Sequence, residues 1–253
     1  MRFATFNILH GRSPGDGTVD LDRFAACIRT LDADVLALQE VDRDQPRSHS
    51  ADLTAVAAQA MGAKEHVFVA AISGTPGATW VAATGHEQPG SAAYGIALLS
   101  RFPVDSWQPV RMPKIPVRFP LWLSEPRKWI VFKEEPRAAA IGRVRTPRGP
   151  VTVVSTHLSF VPRWNHYQLA RLIRDLRPFP DPVVLMGDLN IAGRKPAQLT
   201  GYRPLADAPT FPAESPTRQL DHVLLRGQLG TPRPGRAVRL DISDHQALVV
   251  DFD

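Results

Sequence analysis

Val183-Val184-Leu185-Met186-Gly187-Asp188-Leu189-Asn190 decides how the rest of this 253-residue chain is read. Four consecutive apolar residues form a buried-strand pattern, and the strand runs out into an acid and an amide. Upstream, Val151-Thr152-Val153-Val154 is a second apolar run, and it leads to His157. Between the two, Leu169, Leu172, Ile173 and Leu176 recur at helical spacing until Pro178 and Pro180 stop them. The segment therefore reads strand, helix, strand, with polar residues placed where each strand finishes.

The first part of the chain echoes it. Phe3 to Phe6 reads as a strand ending at Asn7, and Leu21, Phe24, Ala25, Ile28 and Leu31 follow helical spacing. Val35-Leu36-Ala37-Leu38 is then a strand ending at Gln39-Glu40. Ligands of α/β sheets gather outside the carboxyl ends of strands, so Asn7, Glu40, His157 and Asp188 are expected to face one cleft. Other elements fit around this frame. Leu53, Val56, Ala57 and Ala60 predict a helix stopped at Gly62, and Ile96-Ala97-Leu98-Leu99 predicts a strand. Ala138 to Ile141, Leu220 to Leu225 and Ala247 to Phe252 predict three more, with residues 204–216 and 227–235 as connectors. Residues 107–136 carry six prolines and three tryptophans, a composition that predicts a long structured loop. No linker divides the chain, so one domain over residues 1–253 is expected.

Composition narrows the class. A hydrophobic fraction of 43% with 22% charged residues is that of a globular protein. No apolar run reaches the length of a membrane span. Met1-Arg2-Phe3-Ala4-Thr5-Phe6-Asn7 enters a strand pattern directly, without the features of a secretory leader, so a cytoplasmic location is expected. Cys27 is the single cysteine. It excludes an internal disulfide and a multi-cysteine zinc site, and its helix-periodic neighbours predict a buried small hydrophobe.

Glu40, Asp188, Asp221 and Asp244 each follow or interrupt an apolar strand pattern. Two unit charges about 4 Å apart repel by roughly 1 kcal/mol in water and about 4 at an effective dielectric of 20. Acids converging at one sheet edge therefore call for a cation. Hard oxygen donors, with Asn7 and Asn190 adding carbonyl oxygens, favour Mg²⁺ or Mn²⁺, as one or two ions. Ser243-Asp244-His245 sets an imidazole beside these acids, where it can move protons near neutrality. Asp221 is the natural partner to fix its tautomer. His157 is placed to donate to a phosphate oxygen. No Walker loop or His-Glu-x-x-His helix is present, and the reading taken is metal-and-water chemistry.

Thr5-Phe6-Asn7, Leu38-Gln39-Glu40, Ser155-Thr156-His157-Leu158, Gly187-Asp188-Leu189-Asn190, Leu220-Asp221-His222 and Ser243-Asp244-His245 occur in that order. The set resembles the endonuclease/exonuclease/phosphatase superfamily of nucleases, sphingomyelinases and inositol polyphosphate 5-phosphatases. The resemblance implies an α/β fold of two packed mixed β-sheets with helices on both outer faces, a four-layer sandwich. It implies that Asn7 and Glu40 hold the principal metal with Asp244 assisting, and that Asp188, Asn190 and His245 also stand at the metal-binding centre. Asp188 would orient or deprotonate water, Asn190 and His157 would bind phosphate, and Asp221-His245 would stabilise the phosphorane or serve as base. Leu9 stands where abasic-site nucleases often carry an acid, and His157 where they tend to carry Tyr. Both departures tilt toward deoxyribonuclease-like and sphingomyelinase-like branches. All eight positions carry competent side chains, which argues against a silent binding module.

Substrate choice rests on weaker signals. A net charge of +5 suits a polyanion. Trp122, Trp129, Arg118, Arg127 and Lys128 suit stacking on bases and pairing with phosphates, and Arg137 suits a substrate phosphate. The same tryptophans and basic residues suit a lipid interface, or a loop folded onto its own domain. Nucleic acid is expected ahead of phospholipid, with a small phosphorylated molecule as a third option and no protein partner inferable. His10-Gly11 reads as turn chemistry ahead of a substrate contact. Replacing Trp122 and Trp129 by Ala is expected to change substrate preference while the thermal midpoint holds. A collapse of that midpoint would mark the loop as packed.

Overall fold

This computed structural model describes residues 1–253 apart from 89, 117, 118 and 124–126, and apart from the side chains of 119–123, 128 and 130–132. Among the described residues, two mixed sheets form the centre of the molecule. The first runs β14 (Arg236–Val238), β15 (Ala247–Asp251), β1 (Arg2–Asn7), β2 (Val35–Arg43), β5 (Ala93–Ser100), β3 (Glu65–Gly74), β4 (Trp80–Ala82). The second runs β12 (Arg203–Pro204), β13 (Asp221–Arg226), β11 (Val183–Asp188), β10 (Gly149–His157), β9 (Arg137–Thr146), β6 (Val104–Met112). A separate hairpin pairs β7 (Phe119–Leu123) with β8 (Lys128–Phe132).

The period-2 alternation of strands builds the layers. Phe3, Val35, Ala37 and Leu98 point from the first sheet into a core shared with Ala140, Val153, Val184 and Met186 of the second. The intervening residues Phe6, Leu36 and Leu38 face the opposite way. They pack on α1 (Leu21–Leu31) and α2 (Leu53–Met61) through Phe24, Ile28, Leu31 and Leu53. On the far side, Val154 and Leu185 meet Leu169 and Leu172 of α3 (Trp164–Asp175), with Ala197 of α4 (Lys195–Thr200) beside them. Each fully buried Leu or Phe contributes about 1.5–3 kcal/mol relative to exposure. Helix, sheet, sheet, helix is the four-layer sandwich the resemblance implied.

Local signals set the helix ends. The Asp20 carboxylate accepts from the Arg23 N–H at 2.8 Å, and the Asp52 carboxylate accepts from Thr54 and Ala55 N–H at 2.9 and 3.1 Å. Gly62 closes α2 in the left-handed conformation. Cys27 is buried on α1, as its spacing predicts. His10 lies in a tight turn at φ +47, in keeping with turn chemistry.

Two expectations need correction. β2 does not end at Glu40 but continues to Arg43, with a bulge between Gln39 and Val41. Residues 107–136 are not one long loop. Trp107 to Met112 complete β6, which pairs with β9, and β7 and β8 follow as a hairpin. Pro109 is tolerated because β6 lies at the edge of its sheet, where a missing donor faces away from a neighbour.

The echo of strand, helix, strand becomes two parallel pairs. β1 pairs with β2 so that Asn7 lies opposite Gln39, and β10 pairs with β11 so that His157 lies opposite Asp188. Gly187 makes the second alignment possible. A Cβ there would lie 1.9 Å from the Thr156 carbonyl oxygen, and its φ of +149 disfavours any side chain. Gly187→Ala is expected to cost about 3 kcal/mol of stability in denaturant unfolding. A loss below about 1 kcal/mol would mean that β10 and β11 separate freely.

Candidate active site

Three strand ends, one bulge and two strand beginnings meet at one edge of the sandwich. Asn7, His157 and Asp188 close β1, β10 and β11. Asp221 instead opens β13, because that strand runs antiparallel to β11 and puts Asp221 opposite Asp188. His245 stands two residues before β15, the antiparallel neighbour of β1. Arg137 opens β9, one position from the Ala138 that faces His157. The Glu40 bulge has a positive φ of +58. Asn190 and Ser243 share this conformation at φ +51 and +70. Strain gathered at three neighbouring positions marks a region shaped for something other than stability.

A cavity of about 260 Å³ opens among these residues. Asn7, Glu40, Arg137, His157, Asp188, Asn190 and His245 line it, together with Tyr94, Glu135 and Phe160. A larger cavity of about 550 Å³ lies by α4. Its charges are matched internally by Arg194–Asp207 at 2.7 Å, and its His222 is engaged with the Ile191 carbonyl at 2.9 Å. The acids, histidines and amides singled out in the sequence gather in the smaller one.

His245 Nδ1 and Asp221 Oδ2 are 2.8 Å apart, and both residues are buried. The other ring nitrogen, Nε2, lies 3.8 Å from Asp188 Oδ2. Burial opposes protonation of this ring, but the Asp221, Asp188 and Asp244 carboxylates outweigh it and push His245 up to about 10. Asp188 moves from 3.8 to about 7, through burial first and then the Asp221 charge, against the pull of His245. His157 is held well below its ordinary value by burial and by the Arg137 and His245 charges, so its ring is neutral. One cleft thus sets a charged imidazole beside a neutral one.

The remaining contacts hold these groups in place. Asp188 Oδ1 accepts from the Asn190 N–H at 2.9 Å, and its Oδ2 lies 3.5 Å from His157 Nε2. Asn190 Nδ2 lies 3.3 Å from His157 Nε2 and donates to the Leu158 carbonyl at 3.1 Å. Ser243 Oγ donates to the Asn7 carbonyl at 2.6 Å and accepts from the His245 N–H at 3.1 Å, tying β1 to the turn before β15.

The donor set suits a hard divalent cation. Glu40, Glu135 and Asp188 line the cavity with one guanidinium, Arg137, whose Nε has no partner among the described residues. Burial raises Glu40 above its ordinary value, and the Asp244 charge adds to the rise. Asn7 Nδ2 donates to Glu40 Oε1 at 3.2 Å and to Asp188 Oδ2 at 3.1 Å, so its amide spans the two acids. Its Oδ1 accepts from the Leu9 N–H at 3.2 Å. Asp188, Asp221 and His245 also offer three ligand atoms within 4.8 Å of one another. There the imidazolium already compensates the two carboxylates, which leaves Glu40 as the acid most in need of a cation.

Of the residues expected from the sequence, Asn7, Glu40, Arg137, His157, Asp188, Asn190 and His245 line this cavity. Asp221 stands behind His245. Asp244 is half-buried outside the lining and acts on Glu40 and His245 through its charge. Trp129 lies on β8, 67% exposed and away from the lining. Arg118 and the side chains of Trp122 and Lys128 lie outside the described residues. Tyr94, Glu134, Glu135 and Phe160 were not expected. Glu134 is buried and hydrogen-bonded by Ser159 Oγ, and it stands 3.9 Å from Arg137. The charged run Lys133-Glu134-Glu135 before Arg137 was a usable signal, whereas Tyr94 sits in an unremarkable apolar strand.

A two-sheet sandwich with carboxylates, histidines and amides at one edge defines a phosphoesterase class of site. The sequence model of the "Endonuclease/Exonuclease/phosphatase family" matches residues 4–245, and the chain belongs to that family. The family is divalent-metal dependent and its members are hydrolytic phosphoesterases. A search of curated proteins gave no match. Among solved structures, an endonuclease/exonuclease/phosphatase from Beutenbergia cavernae is 23% identical with TM-score 0.68, over 99% of this chain and 70% of that one. Sphingomyelinase C from Streptomyces griseocarneus is 17% identical with TM-score 0.65, over 100% and 99%. A mannosyl-6-phosphatase from Bacteroides thetaiotaomicron is 16% identical with TM-score 0.62, over 99% and 98%. These likenesses show the fold. No helix among the described residues is long and apolar enough to cross a membrane.

The His245–Asp221 pair has a pH consequence. The folded value near 10 exceeds the 6.5 of a free ring, so the pair's stabilisation is complete below about pH 6.5 and is lost as pH rises through 10. Unfolding midpoints measured in EDTA are expected to fall from pH 7 to 10 in wild type and to fall less in His245→Gln. Equal slopes would remove the ion pair from the account.

Proposed function

We propose that this chain is a phosphodiesterase, one catalytic domain that cleaves nucleic acid by in-line attack of an activated water. The observation that carries the reading is His245, held by Asp221 at 2.8 Å, with Asp188 at its other nitrogen and the Glu40 cavity in front. A carboxyl near 7 is suited to take a proton from water at neutral pH, so Asp188 is the base or orienting group. The imidazolium of His245 is a fixed positive charge where negative charge develops on the phosphorane. Neutral His157 offers a ring N–H to a non-bridging oxygen, and the Asn190 amide offers a second donor from beside it. Arg137 supplies a charged fork at the cavity wall.

Glu40 and Asn7 would hold the metal, Mg²⁺ or Mn²⁺ by the hardness of their donors, with Asp188 beside them and the Asp244 charge assisting. When bound, such an ion supplies Lewis-acid neutralisation of phosphate oxygens. The Asn7 Oδ1 accepts one hydrogen bond, from the Leu9 N–H, and keeps a second lone pair for an ion. The net charge of +5 supports a polyanionic substrate. Phospholipid is the second reading, supported by the exposed Trp129 and by the likeness to sphingomyelinase C.

The test is a parallel hydrolysis assay with Mg²⁺ or Mn²⁺, with and without EDTA, on DNA, RNA, sphingomyelin vesicles, sugar phosphates and a chromogenic phosphodiester. Nucleic-acid cleavage abolished by EDTA is the expected result. Turnover of lipid or sugar phosphate alone would overturn the substrate assignment. Glu40→Gln is expected to lose most metal affinity by calorimetry. His245→Ala is expected to keep that affinity and lose at least about 100-fold in kcat; near-normal turnover would overturn the role given to the dyad.

A further inference from the structure

Arg137 stands in the cavity wall with its charge only partly answered. It is 7% exposed, and its Nε has no partner among the described residues. Among those residues, Glu134 alone brings a carboxylate within ion-pair range, and it stops 3.9 Å from Nη2, beyond hydrogen-bond length. A guanidinium carries five N–H donors in a planar fork. This one therefore keeps donors for a ligand oxyanion.

Glu134 is itself out of place as a packing residue. It is fully buried, its Oε2 has no partner among the described residues, and its Oε1 accepts from the Ser159 hydroxyl. A buried carboxylate is costly unless closely paired, and apolar side chains of similar volume often serve stability as well or better. Its position is nevertheless tightly set. Ser159 Oγ also accepts from the Val161 N–H at 3.0 Å, and the Ser159 N–H donates to Gln168 Oε1 at 2.8 Å. Gln168 Nε2 in turn donates to the Pro113 carbonyl at 3.1 Å. Ser159 and Gln168 are fully buried, so this chain of contacts ties Glu134 to α3 and to the residue after β6.

The cavity offers Arg137 rival partners. Glu40, Glu135 and Asp188 line it too, and the Arg137 charge already acts on Glu40 and Glu135. A guanidinium without a fixed counter-charge would close onto one of these acids, where its fork would be occupied and a metal donor lost.

We propose that Glu134 is a positioning residue: fixed by Ser159, it holds Arg137 at the cavity wall by charge and leaves the fork free for the substrate phosphate. The proposal rests on the reading of Arg137 as a phosphate contact, and it holds alike for nucleic-acid, lipid and sugar phosphates. It also fixes a sign. A negative charge beside an anion site opposes binding by Coulomb repulsion, so removing it should tighten binding unless its role is to place Arg137.

The experiment measures steady-state hydrolysis of the chromogenic phosphodiester with Mn²⁺ by wild type, Glu134→Gln, Arg137→Met and the double variant. Glutamine keeps the shape and an acceptor for Ser159, and removes the charge. Expected for Glu134→Gln is a KM raised about tenfold with kcat changed less than about threefold, the mark of lost phosphate binding. In the Arg137→Met background the same substitution should change kcat/KM by less than about twofold, because the residue through which it acts is gone. A KM unchanged or lowered would overturn the positioning role, whatever the thermal midpoint does. Losses that multiply in the double variant would overturn it too, and leave Glu134 a structural residue. Ser159→Ala, which keeps the charge and releases its tether, is the second variant should Glu134→Gln not fold. Its KM should rise with kcat held, and an unchanged KM would overturn the proposal. The phosphate-ester reading fails separately, if wild type hydrolyses no substrate. The positioning is then read by calorimetry with inorganic phosphate in Mg²⁺, where Glu134→Gln should weaken binding and equal affinity would overturn it.

Discussion

Carboxylates crowded into a space with little water repel one another, and the rest of the site is arranged around that repulsion. Glu40, Asp188 and Asp221 are brought together by strand geometry, not by mutual attraction. An imidazolium set between Asp221 and Asp188 answers part of the cost, and the Asn7 amide spanning Glu40 and Asp188 answers another part. What is left over is the demand for a cation, expressed at Glu40. A buried charge with an incomplete set of partners is expensive in structural terms, and a metal-dependent site turns that expense into affinity.

The two strand–helix–strand units divide the work. The β1–β2 unit brings Asn7 and Glu40, the donors suited to a cation. The β10–β11 unit brings His157, Asp188 and Asn190, the groups suited to water and phosphate. The Asn7 amide donating to Asp188 and the His245–Asp221 contact join the two sheets, so a shift in one reaches the other through hydrogen bonds at the reactive edge. Such a scaffold leaves the surrounding segments free to vary, which is why relatives with the same fold act on different phosphate esters.

The sequence made most of the site legible because apolar strand runs are long and their polar terminations stand out. The six ordered motifs carry Asn7, Glu40, His157, Asp188, Asn190, Asp221 and His245, which the fold brings into one region. What escaped has physical reasons. Asp221 was read near the start of a strand over Leu220 to Leu225, but residue pattern alone does not state that this strand runs antiparallel to β11. The bulge at Glu40 is a backbone event, and a positive φ at a glutamate leaves no mark in composition. β6 was hidden by Pro109, since a proline argues against a strand except at an edge, and edges are known only once the sheet is assembled. β3 and β4 went unread although Val67, Val69 and Ile72 alternate in part. Tyr94 carries no local signal, because its place in the cavity is set by neighbours far along the chain.

β1 lies between β2 and β15 in the middle of its sheet, and Met1 and Phe252 exchange backbone hydrogen bonds at 2.8 and 2.7 Å. On the ribosome, this places the earliest-made strand in wait for the last. Asn7 and Glu40 lie on the first two strands, but His245 arrives only with the closing strand. The reactive edge is therefore complete only once β15 has paired with β1, an order written into the strand sequence.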